Sequence, residues 1–264
     1  MSEISIVTAF FDIGRGDWTP DKGLPHYLKR TTDTYLERFG HMAKLENEMV
    51  IFTSNDLVDK IKELRGDNPT HIITLDFPNS FSKLRDEVTR IQKDPVYQSK
   101  IDPSQLKNPE YWNADYVVVN AIKSSFVIQA LKSGAITNQM VAWLDFGYCR
   151  DESTLNGITK WTTNLSNDKI HLFNIKEWAE GTTILDVISK NDVHITGPCI
   201  VAPVNLWPSL EALTHHSIGE LLKHDLIDDD QTLLLMSYLF RTDLFELHPV
   251  PASNWFVVFK DFSQ

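Results

Sequence analysis

The sequence predicts an α/β fold, a mixed, mainly parallel sheet flanked by helices on both sides. Three observations carry this. From Ile4 to Lys93, short apolar runs alternate with stretches of helical periodicity, the pattern of strands joined by helical crossovers, which are right-handed in such folds. Met140-Val141-Ala142-Trp143-Leu144 is a compact apolar run that ends in Asp145 and then Gly147, and open α/β sheets bind ligands at the carboxyl ends of their strands. The 264 residues are 42% hydrophobic, ample for a core in one large domain or two small ones.

Taken in order, Ile4 to Phe11 is a buried strand by its apolar run, and Asp12 to Asp17 is a turn-rich loop. The two glycines and Arg15 in that loop match neither phosphate-loop spacing. Leu28, Thr32, Tyr35, Phe39 and Met42 give Pro25 to Leu45 the stripe of a half-buried helix. Glu48 to Thr53 is a strand, Asn55 caps a helix through Leu64, and His71 to Leu75 is a strand broken by Asp76 to Asn79. Ser80 to Lys93 is a helix. Asp94 to Trp112, with three prolines, reads as a long aromatic loop of the kind that often carries function. Asn113 caps a helix reaching Ser133, on which Asn120 and Lys123 are surface neighbours.

After Gly147 the pattern loosens. Asp151 to Asp168 is polar, with a turn at Asn156-Gly157 and Trp161 as its anchor. Lys169 to Ile175 is a strand and Trp178 to Lys190 holds a short helix. Val193 to Val204 contains Gly197-Pro198, so a kinked or edge strand is expected. Trp207 to Lys223 is a helix. Asp228, Asp229 and Asp230 precede the apolar helix Thr232 to Phe240, and two final strands are expected around a turn, over Leu244 to Leu247 and Asn254 to Phe259.

A net charge of −11 repels phosphate backbones, so nucleic acid is not an expected partner. Two cysteines make neither a disulfide framework nor a cysteine metal site. The N-terminus lacks a secretory pattern and no apolar run approaches the roughly 20 residues that span a bilayer. A cytoplasmic protein is expected, with peripheral membrane contact left open. Neither Gly-x-Ser-x-Gly nor His-Glu-x-x-His is present, and the adjacent His215 and His216 point in different directions on a helix.

The candidates for chemistry are Asp145, the Asp228 to Asp230 group, and His248, each beside an apolar run. Asp145 is either a ligand-facing acid or the cap of the turn at Gly147. Lys123 either holds a phosphate or belongs to a solvated face. The acids at 228 to 230 suit a helix dipole, although one would suffice for a cap. A carboxylate with an imidazole suits a cation such as manganese, which would neutralise a diphosphate.

Thr8-Ala9-Phe10, Asn120 with Lys123, Trp143 to Tyr148, and Asp229-Asp230-Gln231 together resemble the bacterial HtrL/YibB-like proteins over nearly the whole chain. The resemblance implies a single GT-A-like, Rossmann-type domain over residues 1–264, with a nucleotide-sugar-binding half (1–150) and an acceptor-binding half (151–264). It implies a glycosyltransferase that moves a sugar from a nucleotide-diphosphate donor such as a UDP-sugar. The acceptor would be a glycan or lipid-linked glycan precursor of lipopolysaccharide, O-antigen or capsule, handled at the inner face of the inner membrane. Thr8, Ala9 and Phe10 would contact the nucleotide, Asn120 and Lys123 the sugar-phosphate, and Asp145 with His248 a manganese or magnesium ion. Asp230, with Asp229 second, would face the acceptor. The second acid of the usual Asp-x-Asp motif is replaced by Gly147. That departure also admits an inactive nucleotide-sugar or glycan-binding module.

Overall fold

The computed structural model describes residues 2–263. Its strands are β1 (Ser2–Phe10), β2 (Met49–Thr53), β3 (Thr70–Thr74), β4 (Met140–Leu144), β5 (Thr162–Thr163), β6 (Ile170–Asn174), β7 (Ile195–Pro203) and β8 (Phe245–Pro249). They form one sheet in the order β3-β2-β1-β4-β7-β6-β8, with β5 added antiparallel to the start of β1. The first four strands of that order run parallel, β7 is antiparallel to both its neighbours, and β8 lies parallel to β6. The expected mixed α/β architecture is therefore present.

Helices α1 (Thr32–Met42), α2 (Val58–Arg65), α3 (Phe77–Ser80), α4 (Ser82–Gln92), α5 (Pro95–Lys100), α6 (Ala114–Ala121), α7 (Lys123–Lys132), α8 (Ile184–Lys190), α9 (Trp207–Lys223), α10 (Asp230–Phe240) and α11 (Val258–Asp261) cover the sheet. Strand alternation sorts the core into two faces. Ile4, Ile6, Met49, Ile51, Ala142 and Leu144 join Phe39 of α1, Ile61 of α2 and Phe259 of α11. Their alternating partners Val7, Val50, Phe52, Val141 and Trp143 join Phe126 of α7, Trp207 of α9 and Leu234 of α10. A third cluster, from Val88 through Tyr97, Tyr111 and Val117 to Leu233, packs α4, α5 and α6 on the outer side of α10.

Several local expectations need correction. The stretch 94–112 holds α5, which Asp94 caps by accepting from the Val96 amide, and a 3-10 turn at Pro109–Tyr111; prolines at first-turn positions start helices rather than prevent them. The helix begun at Asn113 breaks at Ile122, leaving Lys123 at the start of α7. β7 is interior, and its irregularity at Gly197-Pro198 is absorbed by a register jump opposite Leu172 and Phe173. The second closing strand is absent, because residues 254–257 form a loop into α11. No helix among the described residues is long and apolar enough to cross a membrane.

One buried cation fixes the parallel edge. Arg65, 2% exposed, donates to the carbonyls of Ala43, Leu45, Asn47 and Pro69 and to the Thr70 hydroxyl. It ties the end of α1 to the starts of β2 and β3, and burial lowers its pKa to about 10. Arg65→Met should strand these carbonyls at a cost of about 3 kcal/mol. Thermal unfolding should show a melting temperature lowered by roughly 6–12 °C; an unchanged value would show the carbonyls to be otherwise satisfied.

Candidate functional site

A cavity of about 380 Å³ opens at the carboxyl ends of β1 and β4. Its walls include Ala9 and Phe10 from β1, Asp145 after β4, Gly197 and Pro198 from β7, and Asp230 at the start of α10. At its floor Lys123 Nζ lies 2.7 Å from Asp145 Oδ1 and 2.7 Å from Asp230 Oδ2, and donates to the Gly197 carbonyl at 3.0 Å. Trp143 Nε1 donates to the same Asp145 oxygen at 2.9 Å. Lys123 is 5% exposed, so it is not part of a solvated face. Burial works against its charge, but the two carboxylates outweigh burial and raise its pKa. The turn after β4 is closed by the backbone, Tyr148 N–H to Asp145 carbonyl, which leaves the Asp145 carboxylate to face the cavity.

The rim is basic. Arg15, Arg30 and Arg150 line the cavity, and Arg38 lies close enough to Arg30 and Arg150 to depress Arg150 electrostatically. Among the described residues none of these four has a carboxylate partner within ion-pair distance, although the chain carries 36 acids and a net charge of −11. Arg15 Nε and Arg38 Nη1 are buried without a hydrogen-bond partner. Arg15 instead donates to the Tyr35 hydroxyl and the Leu28 carbonyl and stacks on Trp18, while Arg150 lies over the Phe256 ring. Burial first, then mutual repulsion, lowers Arg150 to about 10. Uncompensated guanidinium groups around a cavity suit an anionic ligand, phosphate above all. Arg30, Arg38 and Arg150 carried no sequence motif; they become neighbours only through the fold.

Of the expected contacts, Ala9, Phe10, Asn120, Lys123, Asp145 and Asp230 all line the cavity. Three do not. Thr8 is fully buried within β1, one residue short of the wall. Asp229 caps α10, its side chain accepting from the Gln231 amide, so the capping reading holds for it while its neighbour Asp230 turns inward. His248 is on β8, three strands from β4 and hence roughly 14 Å across the sheet. It meets His171 and Glu246 instead, in a group whose ligand atoms lie within 4.8 Å of one another. That group is compatible with a divalent metal.

Asp145 itself fits a divalent ion poorly. One of its oxygens already serves an ammonium and an indole N–H. The position of a second acid is Gly147, where an added Cβ would stand 3.1 Å from the Tyr35 ring. A cation is nevertheless supplied there by Lys123.

Behind the floor lies a buried acidic group. Glu110, Asp228, Asp229 and Asp230 are each at most 6% exposed. Burial, reinforced by the neighbouring acids, raises Glu110 to about 8; burial likewise raises Asp228 to about 7 and Asp229 well above the usual range. Asp230 is raised less, because Lys123 opposes burial. Glu110 and Asp228 therefore hold protons at pH values where the unfolded chain has lost them. Their stabilising effect is complete below the unfolded carboxylate range and is lost as pH rises through about 7 to 8. Glu110→Gln should remove about 1.4 kcal/mol per pH unit of this decline between about pH 5 and 7, measured as denaturant stability against pH. A slope identical to wild type would mean that Glu110 is ionised in the fold.

A sequence model described as "Bacterial protein of unknown function (HtrL_YibB)" matches residues 2–264. Protein HtrL of Escherichia coli (strain K12) is 39% identical over 264 residues, covering 99% of this chain and 93% of its own length. Among solved structures, mouse xyloside xylosyltransferase 1 in its apo form is similar with a TM-score of 0.42 and 9% identity, covering 99% of this chain and 93% of that one. A nucleotidyl transferase from Methanothermobacter thermautotroptrophicus gives 0.41 and 13%, covering 96% and 88%. These two likenesses are too slight to bear on chemistry. The full-length match and the 39% identity do decide kinship: this chain belongs to the bacterial HtrL/YibB family.

Proposed function

We propose that this chain is a glycosyltransferase of the GT-A type, moving a sugar from a nucleotide-diphosphate donor to a cell-surface polysaccharide precursor. One observation carries the reading: a ring of arginines without counter-ions stands over a lysine-bridged pair of carboxylates at the strand ends of the sheet. The diphosphate lies against Arg15, Arg30 and Arg150, with Lys123 beneath. Breaking the anomeric C–O bond leaves negative charge on the diphosphate, and these fixed cations stabilise it in a partly desolvated cavity. No step is routed through a metal at Asp145, because the donor set there is incomplete.

Asp230 is the proposed acceptor-side carboxylate. Its raised pKa suits a base that takes the acceptor hydroxyl proton as the new C–O bond forms, if the reaction inverts. The two proposed halves meet here: donor contacts come from residues before 151, while Asp230, Gln231, Trp255 and Phe256 come from the second half. The polysaccharide acceptor rests on the family resemblance.

A calorimetric panel of nucleoside diphosphates and nucleotide sugars tests the donor site. Wild type should bind at least one, and Arg30→Met should weaken it about tenfold with little change in melting temperature, since Arg30 has no internal ion pair. Failure of the whole panel would sink the reading. Asp230→Asn should keep donor binding and lower turnover at least about a hundredfold, followed as nucleoside diphosphate release. Donor binding with no release by wild type would instead favour a binding module, for which the glycine in place of a second metal acid already speaks.

A further inference from the structure

His171 on β6 and Glu246 on β8 are directly paired across the strands, and His248 is two residues along β8 on the same face. The His171 Nδ1 atom lies 2.9 Å from His248 Nε2 and 3.5 Å from Glu246 Oε2. Two ligands bound to one tetrahedral ion at about 2.0–2.1 Å sit roughly 3.3 Å apart, between these two values. The other nitrogen of His171 is 2.8 Å from the Ser166 carbonyl, to which it can only donate. That bond fixes the proton on Nε2 and turns the Nδ1 lone pair toward the other two groups, the arrangement in which an outer partner orients a ligating imidazole. The Ser166 hydroxyl also donates to Glu246 Oε2 at 3.4 Å. Phe173 of β6 and Phe262, just after α11, pack against the His248 ring, while Glu246 is half exposed and leaves an entry path.

We propose that His171, Glu246 and His248 form a binding site for a divalent transition-metal ion of the zinc class, separate from the cavity, with water as a fourth ligand. Two imidazoles and one carboxylate favour zinc, cobalt or nickel over magnesium. In the free protein, His248 Nε2–H donates to His171 Nδ1. Binding moves the His248 proton to its Nδ1, frees both lone pairs and replaces the hydrogen bond with two metal bonds. The ion then staples β8 to β6 immediately before the loop that carries Trp255 and Phe256 to the cavity wall.

The test uses untagged, full-length protein stripped with chelator and dialysed. Zinc and cobalt are titrated by calorimetry, cobalt also by its visible absorption, with magnesium as the comparison. Expected is one saturable equivalent of zinc or cobalt and no comparable magnesium binding. A hundredfold excess of zinc over its Kd should raise the melting temperature by roughly 5–10 °C. Glu246→Gln, at an exposed position, and His248→Gln should each weaken zinc at least tenfold, since loss of an outer partner alone costs roughly 10–100-fold, while the metal-free melting temperature of Glu246→Gln stays at the wild-type value. No saturable zinc or cobalt binding by wild type, or affinity unchanged in either variant, overturns the site.

Discussion

The arrangement of this molecule turns on one buried ammonium, Lys123, held between Asp145 and Asp230. The three residues come from α7, the tip of β4 and the first turn of α10, elements far apart in sequence. A cation this deeply buried is tolerable only when paired and hydrogen-bonded, and here two carboxylates and a backbone carbonyl meet that condition. The same contacts bring the two walls of the cavity into register. Gly197 shows how tight the fit is: a side chain there would overlap the Asp230 carboxylate, so the irregular turn of β7 through Gly197-Pro198 is what lets α10 deliver its acid.

Charge is segregated rather than balanced around that centre. The acids behind the floor are buried, and burial pushes Glu110, Asp228 and Asp229 toward the protonated form. The guanidinium groups at the rim stay charged but unpaired. The result is a positive mouth on a negative protein, a potential that attracts a phosphorylated ligand locally while the rest of the surface repels polyanions. This reconciles the overall acidity, which argued against nucleic acid, with the diphosphate site proposed above.

Much of the fold was legible because it rests on local pattern. The apolar runs of β1, β2, β4 and β6 and the whole span of α9 read directly from periodicity, since both faces of the central strands are buried and α9 presents a single long stripe. Asp145 was only half legible: an acid ending an apolar run admits a ligand-facing carboxylate or a turn cap, and the backbone closure of that turn is what leaves the carboxylate at the cavity wall. What stayed hidden depends on contacts made across the chain. Arg30, Arg38 and Arg150 look like ordinary surface residues until folding gathers them at one cavity mouth with no carboxylate at ion-pair distance among the described residues. Glu246 and His171 gain meaning only from the pairing of β6 with β8, and His248 was assigned to the wrong partners because spacing along the chain says nothing about which strands lie between. Asp229 and Asp230 could not be told apart by composition, as either can cap a helix; the φ/ψ of the cap decides which one is left to point inward.

The two candidate sites also divide the cationic work differently from what an Asp-x-Asp enzyme would do. There a metal both binds the diphosphate and joins the strand tip to the C-terminal residues. In the reaction proposed above, Lys123 and the arginines take the first task. The second falls to the C-terminal segment itself, which leaves β8 beside the His171–His248 pair and returns through Trp255 and Phe256, with Phe256 meeting Arg150 and Tyr148 at the cavity rim. Tyr148 in turn accepts the Val258 amide, so the residues just after the strand-tip acid hold the closing loop by packing and a hydrogen bond. Replacing Gly147 with a second acid would force a side chain against Tyr35, whose hydroxyl positions Arg15. A metal-binding acid at that position and the arginine rim therefore compete for the same space, and the fold as it stands has settled on the arginines.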